Sequence, residues 1–331
     1  MHSRGLLETA LALITIAGLL LVSAPAVSAD PPDKLRVGYF TQLPAPMQFA
    51  QAKQTFDAVL QTEVEWVPFR SGREMAAMLA AGDLHIAYSL GHVPFTVAVS
   101  AGEPISMVGV AVSYPQQDNC VLKSGFERSN STALSGGTVA VRPGSVTHFR
   151  LLKMLDKLGI DSAGMRILPV SDGAAALSAL QQGEAVIACA YGDALSDMAD
   201  FGTPLMSAAE LDAMGLRLFD VIAVENGFRD EQGDLIEAFL QLVTAANEQW
   251  QRSPDSMLKT IARTAHMGRD SARSALDRFS YPTPAEQKSD AWMGSAVAAY
   301  TADLAAFFVG RGQLKQALDD YSGAISTEFL R

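Results

Sequence analysis

Three hydrogen-bonding side chains stand at the start of one predicted helix. Residues 144–160 (GSVTHFRLLKMLDKLGI) follow the apolar strand pattern TVAV, and Ser145, Thr147 and His148 precede the amphipathic part of the segment. A helix needs one N-cap side chain, and Ser145 is the preferred candidate. Thr147 and His148 then stand beside backbone N–H groups that lack helical acceptors, where an anion binds favourably. The segment therefore predicts an anion site, unless these side chains serve only the helix.

Other polar and aromatic residues occupy a similar position, directly after a predicted strand. They are Tyr39, Phe40, Ser89, Gly91, His92, Tyr191 and Asp193. Ligands of α/β sheets bind beyond the carboxyl ends of the strands, so these residues would converge on one cleft if two sheets face each other. Alternatives stay open: Tyr39 and Phe40 could be core aromatics, and His92 and His148 could be structural histidines.

A single carboxylate, Asp220, interrupts the apolar strand pattern LFDVIAV at residues 218–224. A buried carboxylate without a partner is costly and tends to take up a proton. Facing a cleft, the same group could instead bind a cation. Asp220 is therefore the predicted site for a positively charged group of a ligand.

Recognisable catalytic signatures are absent from the sequence. It contains no GxSxG elbow, no GxGxxG turn after the first strand, no GxxxxGK[ST] loop and no zinc-ligand spacing. The chain has groups that can hold a ligand and no visible machinery to transform it. We therefore expect a binding protein with no catalytic residue, cofactor or metal.

Strands and helices alternate over two stretches of the chain. The first covers residues 34–123 and the second covers residues 138–224, and the pattern after Asp230 is almost purely helical. Alternation at these lengths predicts an α/β architecture with parallel sheets. Two such sets predict two lobes, followed by a helical C-terminal part.

The first 29 residues have the pattern of a cleavable signal peptide. Arg4 precedes an apolar stretch over residues 10–22, and the small residues VSA stand at 27–29. We expect an exported protein, with an uncleaved signal anchor as the alternative. The formal net charge of −11 argues against nucleic acid and anionic membranes as partners. It does not argue against a small anionic ligand, which responds to local donors.

Cys120 and Cys189 are the only cysteines, and both follow the signal peptide. In an oxidising compartment they are expected to form a disulfide. Two separate buried thiols are the alternative, because the sequence does not place the two residues within bonding distance.

Four segments together resemble the periplasmic substrate-binding proteins of ABC transporters for taurine and aliphatic sulfonates. They are RVGYF at 36–40, FRSGREMAAMLAAGDLHIAYSLGHVPFTVAVSAGEPI at 69–105, GGTVAVRPGSVTHFRLLKMLDKLGI at 136–160 and LSALQQGEAVIACAYGDAL at 177–195. The SG…L…GD…I pattern is shared across the sulfonate, nitrate and thiamine-precursor group. GSVTHFRLLKML and LFDVIAV are closer to the taurine-binding branch.

The resemblance implies a type II periplasmic-binding-protein fold with two α/β lobes joined by hinge strands. Lobe one would comprise residues 33–123 and 224–331, and lobe two would comprise residues 124–223. The family roles place a sulfonate at Ser89, Gly91, His92, Thr147 and His148, an ammonium at Asp220, and the pocket wall at Tyr39, Phe40 and Tyr191. A membrane permease and its ATPase are the implied partners of a monomeric periplasmic protein.

Two departures from the family pattern lie at the expected pocket wall. The segment at residues 91–94 reads GHVP where a small hydroxyl residue is common, and residues 191–193 read YGD where the taurine-binding branch has a tryptophan. A related ligand with a different chain or headgroup therefore stays open. Two other functions also stay open: a periplasmic ligand sensor, and a same-fold enzyme of thiamine-pyrimidine synthesis, although that class carries a cysteine-rich motif.

Overall fold

The protein is described by a computed structural model that covers residues 31–40, 43–114 and 117–331. The predicted signal peptide lies outside these residues. The strands, in chain order, are β1 (Lys34–Phe40), β2 (Glu63–Phe69), β3 (Ile86–Gly91), β4 (Ile105–Ser113), β5 (Asp118–Lys123), β6 (Thr138–Val141), β7 (Arg166–Pro169), β8 (Ile187–Tyr191), β9 (Gly202–Pro204) and β10 (Phe219–Glu225).

Helices cover both sheets and form most of the C-terminal third. They are α1 (Met47–Ala52), α2 (Thr55–Leu60), α3 (Gly72–Ala80), α4 (His92–Ser100), α5 (Ser131–Ser135), α6 (Val146–Lys157), α7 (Gly173–Gln182), α8 (Asp193–Asp197), α9 (Ala208–Ala213), α10 (Asn226–Glu231), α11 (Gly233–Arg252), α12 (Pro254–Thr264), α13 (Arg269–Leu276), α14 (Pro284–Lys288) and α15 (Ala296–Gly310). In the described part of the chain, none of them has the length and apolarity that a membrane span needs.

The strands form two five-stranded sheets. The first sheet has the order β2-β1-β3-β10-β4, and the second has the order β7-β6-β8-β5-β9. β1 is parallel to β2 and β3, and β6 is parallel to β7 and β8. The strand that arrives from the other sheet, β10 or β5, is antiparallel to both of its neighbours. Each sheet is thus completed by one strand from a later or earlier part of the chain.

The chain crosses between the sheets at other places than the sequence predicts. The predicted lobe boundaries lie at residues 123/124 and 223/224, whereas the crossings lie between β4 and β5 and between α9 and β10. Sheet membership therefore moves β5 to the second sheet and all of β10 to the first. An apolar run identifies a strand, but only its hydrogen-bonded neighbours decide which sheet it joins.

Local signals explain several helix ends. Ser71 caps α3, and its Oγ accepts from the N–H of Glu74 at 3.3 Å. The apolar spacing of residues 46–60 predicts one helix, whereas the structure has the pair α1 and α2. Between them Gln54 adopts a φ of 54°, a left-handed conformation that a residue other than glycine rarely takes and that interrupts a helix.

Helix α15 contacts helices that belong to both sheets. Thr301 of α15 is hydrogen-bonded to His92 of α4, with 2.8 Å between Oγ1 and Nε2. Phe307 of α15 packs against Phe149 of α6, with ring centroids 5.5 Å apart. The C-terminal helical part therefore bridges the two sheet layers next to the cavity described below.

Candidate functional site

A cavity of about 750 Å³ is lined by side chains from both sheets. The first sheet contributes residues from α3 and α4 and Tyr114, which directly follows β4. The second contributes the starts of α6 and α7 and the end of β8. The carboxyl ends of β6 and β8 meet here, as the general rule for α/β sheets predicts. A volume of this size is typical of a small-molecule site.

The start of α6 forms one wall of the cavity. Ser145 is the N-cap: its Oγ accepts from the N–H of His148 at 3.1 Å and donates to the carbonyl of Arg142 at 2.8 Å. The prediction that Ser145 caps this helix is confirmed. The N–H groups of Val146 and Thr147 belong to the first turn and have no acceptor within the helix. The cavity therefore has backbone donors and the positive end of the helix dipole at this wall.

Thr147 lines the cavity, but its hydroxyl is engaged. It donates to Oδ2 of Asp118, the first residue of β5, at 2.5 Å. The guanidinium of Arg150 lies 3.2 Å from the other carboxylate oxygen, and Arg150 and Asp118 are each about 1% exposed. Burial raises the pKa of Asp118, and the charge of Arg150 and the hydroxyl of Thr147 oppose that rise. The helix start is thus tied to β5 by a buried ion pair.

His148 does not face the cavity. Its ring is completely buried, and Nδ1 accepts from the N–H of Gly144 at 3.1 Å. Gly144 has a φ of 72°, a conformation that favours glycine and that directs this N–H towards the histidine. Burial, and secondarily the charge of Arg311, lowers the pKa of His148. A neutral, structural imidazole is the role that this geometry supports.

Asp220 lies behind the cavity wall. Its Oδ2 accepts from the hydroxyls of Ser89 and Tyr114, each at 2.7 Å, and Tyr114 is the residue that lines the cavity. Ser89 sits at a register shift between β3 and β10 and has a φ of 64°, a strained conformation that directs its hydroxyl towards the carboxylate. Burial raises the pKa of Asp220 to about 6, although the two hydroxyls lower it.

A much smaller void, with no room for a water molecule, lies beside this cavity. It is lined by Tyr39, Phe40 and Ser89 among others, and Leu43 lines both the void and the large cavity. Tyr39 also packs edge-on against Trp66, with ring centroids 5.9 Å apart. Three of the predicted site residues are therefore together, but none of the three lines the large cavity.

His92 is part of the core of the first sheet. It is 4% exposed, stacks on Phe219 and Tyr300, and has Thr301 as its hydrogen-bond partner. Burial lowers the pKa of His92 to about 3, so the ring is neutral. Of the two alternatives that the sequence leaves open, the structural histidine is the one this geometry supports. Gly91, opposite Asp220 in the β3–β10 pair, does not line the large cavity either.

The two site residues predicted at the end of β8, Tyr191 and Asp193, lie in different environments. Tyr191 lines the cavity and is 61% exposed, as an aromatic side chain at a cavity mouth would be. Asp193 points to the surface, where its carboxylate lies 3.5 Å from the guanidinium of Arg278. Tyr191 therefore keeps its predicted place at the wall, whereas Asp193 does not line the cavity.

The structure joins Cys120 and Cys189 in a disulfide, with an S–S distance of 2.04 Å. The two residues are directly opposite each other in the β5–β8 pair, and Cys189 lines the cavity. Neither cysteine is a free thiol. The bond fastens β5, which carries Asp118, to the strand that carries Tyr191.

Sequence reasoning missed several residues around the cavity. They are Arg73, Tyr114, Gln117, Asp118, Arg142, Arg150 and Asp172. A signal existed for two of them. Arg142 directly follows the strand pattern TVAV, and Arg150 lies three residues after Thr147 and four before Met154, on the buried stripe of α6. Among the described residues, no group of three His, Cys, Asp or Glu side chains is placed to hold a metal ion.

The chain forms two sheets with a cavity between them, and a strand that crosses over from the other part of the chain completes each sheet. This arrangement defines the periplasmic-binding-protein class of fold. The chain belongs to the NMT1-like family, whose model matches residues 28–265. The solved structure of the periplasmic aliphatic sulphonate binding protein SsuA from Escherichia coli is similar, with a TM-score of 0.66, 20% identity, and coverage of 87% of this chain and 96% of that one. The predicted fold class is confirmed.

Two named relatives are similar in sequence. The taurine-binding periplasmic protein of Escherichia coli (strain K12) is 26% identical over 292 residues, which cover 86% of this chain and 89% of that protein. The putative aliphatic sulfonates-binding protein of the same organism is 30% identical over 149 residues, which cover 44% of this chain and 46% of that protein. The predicted relationship to the taurine and sulfonate-binding proteins is confirmed.

Proposed function

We propose that this chain is the periplasmic solute-binding component of an ABC importer, and that it captures a small organosulfonate such as taurine in the large cavity. It then delivers the ligand to a membrane permease that works with an ATPase. The two named relatives, a taurine-binding protein and an aliphatic sulfonates-binding protein, support the ligand class. The protein acts as a monomer and performs no reaction on its ligand.

The observation that carries the proposal is the wall formed by the α6 start. A sulfonate is a permanent anion with three weakly basic oxygens, so it is best held by several donors on a rigid element. The N–H groups of Val146 and Thr147 and the dipole of α6 provide such donors inside the cavity. Arg142, which also lines the cavity, adds a positive charge next to them.

The alternative of a thiamine-pyrimidine enzyme is not favoured. That class carries a cysteine-rich motif, whereas this chain has two cysteines and joins them to each other. A ligand sensor would share the binding site with a transport protein. A binding protein that stimulates ligand uptake through its permease in reconstituted vesicles is a transport component; one that binds the ligand without stimulating uptake is a sensor.

Calorimetry with taurine, ethanesulfonate, nitrate, sulfate and a thiamine precursor tests the ligand class. We expect one-to-one binding of the two sulfonates. The variant Val146→Pro removes one N–H from the cavity wall at the first helical position, where proline fits a helix. It should weaken sulfonate binding by about tenfold, the effect of one hydrogen bond to a charged group.

The matched control is Ala208→Pro, the same replacement at the first position of α9, which Ser207 caps away from the cavity. It should leave binding unchanged. Binding of nitrate or the thiamine precursor without binding of any sulfonate would contradict the proposed function. Equal losses in the two proline variants would show that the α6 start is not the anion site.

A further inference from the structure

Four side chains with a formal charge line the large cavity among the described residues: Arg73, Asp118, Arg142 and Asp172. Both carboxylates already have partners within the protein. Asp118 is paired with Arg150 and accepts from Thr147. Asp172 caps α7, where one oxygen accepts from the N–H of Ala175 at 2.9 Å and the other from the hydroxyl of Ser171 at 2.9 Å.

Only Asp118 of these two carboxylates has an ion-pair partner in the described part of the chain, since the donors to Asp172 are uncharged. Neither the guanidinium of Arg73 nor that of Arg142 has an ion-pair partner in the part of the chain that the structure describes, and both residues are exposed. Arg73 is the second residue of α3, which packs on the first sheet. Arg142 directly follows β6 of the second sheet. The cavity therefore has two unpaired positive charges, one contributed from each sheet.

The wall between these charges is largely apolar. Leu43, Val93, Val97, Phe279 and Leu314 line the cavity together with the two arginines. Apolar surface of this kind favours a hydrocarbon part of a ligand, because burying it removes both surfaces from water. A ligand that matches the whole cavity would have anionic groups at its ends and a short hydrocarbon chain between them.

An ammonium group finds a poorer match. Asp220 is the carboxylate predicted to receive it, but Tyr114 stands between it and the cavity and uses one of its oxygens together with Ser89. Of the two carboxylates that do line the cavity, Asp118 is ion-paired with Arg150, and Asp172 is held at the start of α7 by two uncharged donors. A zwitterion would thus place its positive end in a cavity where, among the described residues, two arginines without an ion-pair partner outnumber the one such carboxylate, Asp172.

From these contacts we infer that the preferred ligand is a dianionic sulfonate, in which a carboxylate or a second sulfonate ends a short carbon chain. The inference rests on the proposed function and specifies its substrate class. Arg142, beside the N–H groups of Val146 and Thr147, binds the sulfonate. Arg73, across the cavity, binds the second anionic group and is the residue that determines specificity. A ligand held in this way bridges the two sheets.

Matched probes separate the two anionic groups. 3-Sulfopropanoate carries both, and propane-1-sulfonate has the same carbon chain with the sulfonate alone. We expect calorimetry to give at least about tenfold tighter binding of 3-sulfopropanoate than of propane-1-sulfonate or taurine, the effect of one charge-assisted contact. The difference should shrink as salt is added, because both arginines are exposed.

Two variants assign the roles. Arg73→Gln should weaken the binding of 3-sulfopropanoate by about tenfold and leave the affinity for propane-1-sulfonate unchanged. Arg142→Gln should weaken both. Arg73→Lys keeps the charge and should retain most of the preference for the dianion. Arg70→Gln is the control, because Arg70 is exposed in the turn before α3 and does not line the cavity.

Three outcomes would overturn the inference: equal binding of the two probes by the wild type, equal losses of both probes in Arg73→Gln, or a loss in Arg70→Gln as large as that in Arg73→Gln. In each case propane-1-sulfonate still binds, so the proposed function stands. Failure of propane-1-sulfonate, taurine and 3-sulfopropanoate to bind at all would instead contradict the proposed function itself.

Discussion

The hydroxyl of Thr147 donates to Oδ2 of Asp118 at 2.5 Å, inside the wall of the large cavity. The side chain predicted to hold an anion therefore holds a carboxylate of the protein. The proposed anion site at the start of α6 therefore rests on the backbone N–H groups and on Arg142. The role of Thr147 is to orient Asp118 and to fasten the helix start to β5.

Replacement of Thr147 should accordingly affect stability first. Thr147→Val removes a donor to a buried carboxylate, and the free energy of unfolding should fall by about 1–3 kcal/mol. Thr147→Ser keeps the hydroxyl and serves as its control. Ser145→Ala removes the N-cap and should cost about 1 kcal/mol. Urea unfolding measures all three. An unchanged stability of Thr147→Val, with weaker sulfonate binding, would restore the anion-binding role for this hydroxyl.

The buried pair of Asp118 and Arg150 should be sensitive to the loss of one partner. Arg150→Met leaves the Asp118 charge uncompensated, and we expect a loss of about 3–5 kcal/mol in unfolding free energy at pH 8. Adding Asp118→Asn to Arg150→Met should recover much of that loss, which urea unfolding of both variants measures.

The control for this pair is Lys153→Met in the same helix, where an exposed pair with Asp303 is lost. That change should cost at most about 1 kcal/mol. If Arg150→Met is no more harmful than Lys153→Met, the buried pair does not contribute to stability as the geometry indicates.

The sequence predicts the position of polar groups along the chain better than their direction. The rule that ligands sit beyond strand ends selects Thr147 and Tyr191, which line the large cavity, and also His92 and Asp193, which do not. A rule based on strand ends carries no information about which side of a turn faces the cavity. The rings stacked on His92 come from β10 and α15, which lie far along the chain, and local patterns do not reveal them.

Charged residues were missed for a related reason. Arg73 looks like an ordinary surface arginine in the sequence, and Arg142 is marked only by its place after a strand pattern. That both line one cavity follows only from the structure. The sheet crossings depend in the same way on distant pairing: β5 joins the second sheet through β8, and Cys120 is opposite Cys189 only in that register. The periodicity of apolar residues predicts the type of each element, whereas contacts between distant residues determine which sheet a strand joins and which residues line the cavity.

The disulfide should contribute substantially to stability. Cys120 and Cys189 are 69 residues apart, and closing a loop of that length contributes about 4 kcal/mol in the chain-entropy model. Cys120→Ala together with Cys189→Ala should therefore lower the unfolding free energy by about that amount. Intact mass should rise by two hydrogen atoms when the wild type is reduced, because each sulfur becomes a thiol. A reducing agent should leave the double variant unaffected, and an unchanged wild-type mass would mean that the thiols are free.

Ligand binding should close the cavity. The proposed ligand contacts α3 beside the first sheet and the start of α6 beside the second. It favours a closed conformation, in which these two helices are closer, to the extent that it binds the closed form more tightly than the open form. Small-angle scattering at saturating ligand should show a smaller radius of gyration than the free protein. An unchanged radius, with saturation verified by calorimetry, would show that the cavity is already formed in its final shape.

The pH dependence of stability should reveal the charge of Asp220. Its pKa is raised from the usual 3.8 to about 6, so the ionised carboxylate is disfavoured in the folded protein. This group's contribution to stability is fully present below pH 3.8 and is lost as the pH rises through 6. Asp220→Asn does not titrate. Its stability relative to the wild type should therefore increase by about 1–3 kcal/mol between pH 4 and pH 8, measured by urea unfolding.

Asp172→Asn is the control of opposite sign. The pKa of Asp172 is lowered, first by the N–H of Ala175 and then by the hydroxyl of Ser171, so its contribution is present above pH 3.8 and is lost as the pH falls. A ligand readout completes the test of Asp220. If the charge of Asp220 attracts an ammonium group past Tyr114, Asp220→Asn should weaken the binding of taurine at pH 8 more than the binding of ethanesulfonate. The wild type should then lose its preference for taurine over ethanesulfonate below pH 6. Equal changes for the two ligands at both pH values would show that Asp220 only orients Ser89 and Tyr114.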